Sequence, residues 1–135
     1  MSNRTSLAET TSVRVLFVED ETSQQEALTL MLTATGYTVV QAMDVRDALA
    51  MVDGTFDAAI LDVRLPDPEG LSRDGFTILD ALRAKHPDLP VAVFTGVPLS
   101  EADARVADVY SATVLYKPQT FDAILDFLAK RVCRM

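Results

Sequence analysis

The sequence predicts a doubly wound α/β domain, a five-stranded parallel sheet with five helices covering its two faces. Two observations carry this expectation. Short, nearly continuous apolar runs rich in Val, Ile, Leu and Phe recur along the chain, as strands buried on both faces require. Between them lie longer stretches whose apolar residues repeat at helical spacing. A right-handed crossover places each such helix on one face of a parallel sheet. The length, 135 residues, suits one compact domain.

Each element has its own signal. Val13-Arg14-Val15-Leu16-Phe17-Val18 ends in acids and reads as strand one. Thr22 or Ser23 is expected to cap a helix reaching about Thr35, with Ala27, Leu28, Met31 and Leu32 as its apolar stripe. Gly36 stops it. Tyr37 to Gln41 is strand two, and Asp44 caps the helix carrying Ala48, Leu49 and Val52. A turn around Gly54 leads to strand three, Ala58 to Leu61. Gly75 to Lys85 is the third helix, with Phe76, Ile78, Leu79 and Leu82 apolar, and Val91 to Phe94 is strand four. Ser100 caps a short helix through Val106, and Ala112 to Tyr116 is strand five. Phe121, Ile124, Leu125 and Leu128 mark the inner face of the last helix. The polar residues Met1 to Ser12 read as a flexible tail, leaving residues 13–135 as the domain. Met31, Met43 and Met51 read as core filling, and His86 as a solvated helix-terminal residue.

Charge narrows the function. With 20 acidic residues against 12 Lys and Arg, the net charge is −8, which repels nucleic-acid phosphates and anionic membranes. No apolar run approaches the roughly 20 residues needed to span a bilayer, and the first dozen residues lack a secretory signal. The single cysteine, Cys133, cannot form an internal disulfide and suits a reducing cytoplasm, the expected location. One His and one Cys do not make a zinc site of the usual kind.

In open α/β sheets, sites lie beyond the carboxyl ends of the strands. Strand one is followed by Glu19, Asp20 and Glu21, strand three by Asp62, strand four by Thr95 and Gly96, and strand five by Lys117 and Pro118. Carboxylates gathered there repel one another unless a cation lies between them. Oxygen-only donors suit a hard ion such as Mg²⁺. A carboxylate such as Asp62 can act as a covalent nucleophile toward phosphorus. Lys117 can neutralise charge on the transferring group, and the Thr95 hydroxyl can hydrogen-bond one of its oxygens. Glu21 reads as an acid that suits the positive end of the following helix.

The set Glu19-Asp20, Asp62, Thr95 and Lys117-Pro118, in that order, resembles the receiver domains of two-component response regulators, over roughly residues 13 to 132. The resemblance implies a flavodoxin-like sheet of order 2-1-3-4-5, close to the chemotaxis receivers. It implies that Asp62 is the phosphoacceptor, served by a histidine kinase or a histidine phosphotransfer protein. It further implies that Asp20, Asp62 and the backbone carbonyl of Arg64 bind Mg²⁺, with Glu19 acting mainly through water. Thr95, Lys117 and the small Gly96 would surround the phosphoryl group, and the Lys117-Pro118 bond would be cis. Arg64 and Val97 would stand where the family tunes dephosphorylation. The protein would be a stand-alone signalling switch rather than an enzyme with turnover, acting on an output protein that the sequence does not name. The sequence leaves open whether phosphorylation drives dimerisation, which in the family commonly uses the face of helix four, strand five and helix five, here including Ala102, Val106, Val109 and Tyr110.

Two departures qualify the resemblance. Pro66 and Gly70 fit the family spacing, but Asp74-Gly75-Phe76 offers a second helix start, so the loop 67–74 holds about five extra residues. A harmless bulge is the plainer reading, and a partner surface beside Asp62 the sharper one. Val114 stands where receivers carry a Tyr or Phe three residues before the lysine, and Tyr116 is expected to be packed. These departures keep open an alternative, a receiver-like interaction module that works without phosphorylation. An aspartyl phosphatase of the haloacid dehalogenase type is disfavoured, because Arg64 stands where a second Asp is needed. A flavodoxin is disfavoured because Glu19, Asp20 and Glu21 would repel a flavin phosphate.

Overall fold

Strands and helices alternate strictly along the chain: β1 (Arg14–Val18), α1 (Thr22–Ala34), β2 (Thr38–Ala42), α2 (Val45–Met51), β3 (Ala58–Asp62), α3 (Asp74–Lys85), β4 (Val91–Thr95), α4 (Glu101–Val109), β5 (Thr113–Tyr116) and α5 (Thr120–Arg131). The computed structural model describes residues 13–62, 74–95, 99–116 and 120–131. The expectations for the tail, for the inserted loop before Asp74, and for Arg64, Gly96, Val97, Lys117 and Pro118 lie outside the described residues. The strands form one sheet of order β2-β1-β3-β4-β5, the order that the sequence resemblance implies. Every pairing is parallel.

Side chains alternate across each strand, so the sheet feeds two separate cores. Leu16, Val18, Ala59, Leu61, Val91 and Val93 face α2, α3 and α4, where they meet Ala48, Phe76, Ile78, Leu79, Leu82 and Ala107. Val15, Phe17, Ala58, Ile60, Ala92 and Phe94 face the other way, toward Leu28 and Leu32 of α1 and Ile124, Phe127 and Leu128 of α5. Burying a Leu or Ile contributes about 1.5–3 kcal/mol, so these two layers supply most of the favourable free energy of folding. They clamp the central strands β1, β3 and β4 between them.

The helix ends show where local chemistry decides structure. Gly36 ends α1 at φ 109°, in the left-handed region. Its N–H bonds the Thr33 carbonyl, and the N–H of Tyr37 bonds the Leu32 carbonyl, as in a Schellman turn. Asp44 caps α2 by accepting from the Asp47 N–H at 2.8 Å, and Ser100 caps α4 by accepting from Asp103 N–H at 3.1 Å. The cap of α1 differs from the expectation. Glu21, not Thr22 or Ser23, holds the N-cap position and makes no side-chain capping bond.

Four other expectations are corrected. Ala27 is exposed, and Gln25 takes its place in the buried stripe with Leu28 and Leu32. Leu49 is 41% exposed, because the short helix α2 turns only Ala48 fully inward. Tyr116 is 47% exposed, since it ends the edge strand β5, where only one neighbour covers it. His86 is half-buried, and its Nε2 lies 2.7 Å from the Val52 carbonyl.

Helix α4 runs three residues beyond Val106, to Val109, because a clasp holds its end against α3. Arg83 of α3 donates to the carbonyls of Tyr110 at 2.7 Å, Leu89 at 2.6 Å and His86 at 3.2 Å. The Tyr110 hydroxyl donates to the Asp80 carboxylate. Burial holds the Arg83 guanidinium below its ordinary value, with Asp88 pulling the other way. The hydrogen bond to Asp80, together with desolvation and the carboxylate's charge, raises the Tyr110 phenol above its ordinary value. A raised folded pKa means that the phenol favours folding at pH below its unfolded value. That contribution is lost as pH climbs through the folded value. Tyr110→Phe is therefore expected to lower the urea midpoint at neutral pH and to flatten the loss of stability above pH about 10. A variant with an unchanged alkaline limb in urea titrations would remove the clasp from the account. Leu79→Ala, in the fully buried layer, is expected to cost about 2–5 kcal/mol in the same assay.

Candidate functional site

Parallel pairing decides which residues meet. Val18 of β1 is in register with Leu61 of β3, so the residues that follow β1 emerge beside Asp62. Asp62 is itself the last residue of β3, in register with Phe94, and Thr95 is the last residue of β4, in register with Tyr116. The sequence places Asp62 and Thr95 just past their strands, and the structure includes them within the ladders. A carboxylate at the end of a hydrogen-bonded strand has its backbone held by the ladder.

The carboxylate oxygens of Glu19, Asp20 and Asp62 lie within 4.8 Å of one another. Glu19 and Asp62 are nearly inaccessible, with 1% and 4% exposure, and Asp20 is half-buried. Thr95 is 1% exposed. Three like charges so close and so poorly solvated are costly, which is the arrangement a divalent cation relieves. The donors are all oxygen, and a hard ion fits them. Among the described residues, these three acids could hold a metal ion. Four of the expected site residues, Glu19, Asp20, Asp62 and Thr95, thus stand together at the carboxyl edge, at the ends of β1, β3 and β4.

The turn between β1 and α1 is tied down at several points. The Glu19 N–H donates to the Ala42 carbonyl at 3.1 Å, and Glu19 Oε2 accepts from the Glu21 N–H at 3.2 Å. The Gln25 side chain donates to the carbonyls of both Glu19, at 3.1 Å, and Ala42, at 2.9 Å. Sequence reasoning missed Gln25. Its signal was a polar residue three positions before Leu28 on the apolar stripe, where a core-facing position calls for an apolar side chain.

Comparison with known proteins agrees with this geometry. The family model described as the response regulator receiver domain matches residues 15–129. The response regulator MprA of Mycobacterium ulcerans is 35% identical over 120 residues, a stretch that covers 88% of this chain and 48% of MprA. The chain therefore spans about half the length of that relative. Among solved structures, a CheY-like receiver domain protein from Methanospirillum hungatei superposes with a TM-score of 0.81 at 22% identity, covering 90% of this chain and 94% of that one. The response regulator TrrA of Thermotoga maritima, solved in complex with Mg²⁺-BeF, superposes with a TM-score of 0.73 at 26% identity, covering 87% and 97%. By its family match, its sheet order and the acids and threonine that this order assembles, the chain belongs to the response regulator receiver domains of two-component signalling.

Proposed function

We propose that Asp62 is the phosphoacceptor of this receiver domain and that Glu19, Asp20 and Asp62 hold the Mg²⁺ ion its chemistry uses. The observation that carries the reading is the convergence of these three carboxylates within 4.8 Å at the sheet's carboxyl edge, with Thr95 at the end of the adjoining strand. The ion would be held by Asp20, Asp62 and the Arg64 backbone carbonyl, with Glu19 through water, and would neutralise charge between the carboxylates and the incoming phosphoryl group. Support for an ion of this type comes from TrrA, whose complex contains Mg²⁺-BeF.

The chain's own residues do the rest. One Asp62 oxygen attacks phosphorus of a phosphohistidine on a histidine kinase or histidine phosphotransfer protein. The new P–O bond forms as the P–N bond breaks, and the departing imidazole takes up a proton. Thr95 donates its hydroxyl hydrogen to a phosphoryl oxygen, and Lys117 neutralises another. Gly96 leaves room for the group. The domain is read as a switch without turnover of its own, spanning residues 13–135 after a tail of residues 1–12, and working in the cytoplasm. No helix of the described residues is long and apolar enough to cross a membrane.

Output then passes through protein–protein contact. The exposed Val109 and Tyr116, at 72% and 47%, support the face of α4, β5 and α5 as the place where a partner or a second copy docks. Ala102 is exposed there too, whereas Val106 and Tyr110 pack partly against the core.

Incubation with acetyl phosphate and Mg²⁺ is expected to add one phosphoryl group to the wild type and none to Asp62→Asn, read by intact-protein mass. Equal labelling of the two proteins would move the acceptor elsewhere. No labelling of the wild type, by this donor or by a phosphorylated histidine phosphotransfer protein, would favour an interaction module that works unphosphorylated. Neutralising one of the clustered acids is expected to have opposite effects with and without metal. In EDTA, Asp20→Asn is expected to stabilise the fold by on the order of 1 kcal/mol through relieved repulsion. Saturating Mg²⁺ is expected to raise the melting temperature of the wild type more than that of the variant.

A further inference from the structure

Gln25 occupies an unusual place. It lies on the inner face of α1 in the stripe with Leu28 and Leu32, is 4% exposed, and carries an amide where its neighbours on the stripe carry only hydrocarbon. A buried amide is costly unless its hydrogens find acceptors. Both do. One bond, of 3.1 Å, goes to the carbonyl of Glu19, and the other, of 2.9 Å, to the carbonyl of Ala42 at the end of β2. The Ala42 carbonyl also accepts from the Glu19 N–H, so the ends of β1 and β2 and the first turn of α1 meet at one side chain. The Glu19 carbonyl belongs to the peptide unit that joins Glu19 to Asp20. Fixing that carbonyl fixes the peptide plane, and with it the direction in which Asp20 leaves the backbone.

We propose that Gln25 is a positioning residue for the acidic site, setting the backbone of the β1–α1 turn so that the Glu19 and Asp20 carboxylates stand in register with Asp62. The inference rests on the reading of these acids as the Mg²⁺ site. An apolar side chain in its place would leave the Glu19 carbonyl without this donor, and the peptide would turn toward another one. The carboxylate oxygens would then no longer all lie within 4.8 Å of one another, and metal affinity would fall although both acids remained in the chain. A residue that merely fills the core would affect stability and leave affinity alone.

The test is calorimetric titration of Mg²⁺ alone into the full chain, at a temperature where melting curves show each protein to be folded. Gln25→Met keeps the volume and loses both donors, whereas Gln25→Asn keeps an amide too short to reach both carbonyls. Either variant that folds is expected to bind Mg²⁺ roughly tenfold more weakly than wild type. Leu28→Ala, on the same helix face, is expected to lower the melting temperature with affinity unchanged. Affinities of the Gln25 variants within about twofold of wild type would overturn the proposal while leaving the metal site in place. A folded wild type that binds no Mg²⁺ would overturn the metal-site reading and this inference with it.

Discussion

The mutual repulsion of three carboxylates held at adjacent strand ends is the constraint around which this structure is arranged. Glu19, Asp20 and Asp62 would separate if their backbones were free to move. They are not, because β1 and β3 are paired in parallel and buried on both faces. Apolar burial beneath the acids supplies free energy that keeps these strand ends in place. Acids gathered in this way at one edge are the kind of arrangement that a bound cation would relieve.

Different tethers hold the two ends of the molecule. At the carboxyl edge, side-chain amides and main-chain N–H groups fix the β1–α1 turn. At the opposite edge, Arg14 gathers the β3 approach, with its N–H on the Asp57 carboxylate, its Nε on the Thr55 carbonyl and its guanidinium over the Phe56 ring. Helix α4 ends at Val109, and its C-cap residue Tyr110 is held to α3 by Arg83 and Asp80. Its last turn is the anchored one.

Much of this was legible in the chain. Buried parallel strands need apolar residues on both faces, so β1, β3 and β4 announce themselves as unbroken apolar runs. Gly36, Asp44 and Ser100 marked helix ends because each solves a local problem of backbone geometry or unsatisfied N–H groups. Glu19, Asp20, Asp62 and Thr95 stood out as polar residues directly after such runs. What failed were judgements that depend on neighbours from elsewhere in the chain. Ala27 and Leu49 look equally apolar in any stripe, but the helix rotation that turns one side inward is chosen by the sheet it meets. Tyr116 was expected inside because Tyr is often buried, yet the edge position of β5 leaves it half open.

By itself, the sequence determined the α/β class, the alternation of elements and the residue types available at each strand end. These follow from hydrophobic periodicity and turn chemistry, which act over a few residues at a time. Only the tertiary structure decided that Gln25 belongs to the acidic turn, that His86 binds the Val52 carbonyl, and that Tyr110 is pinned to Asp80. Each of those bonds joins groups that several residues or whole elements separate. A hydrogen bond depends on distances of a few tenths of an ångström, which periodicity cannot encode and packing of the whole sheet must supply.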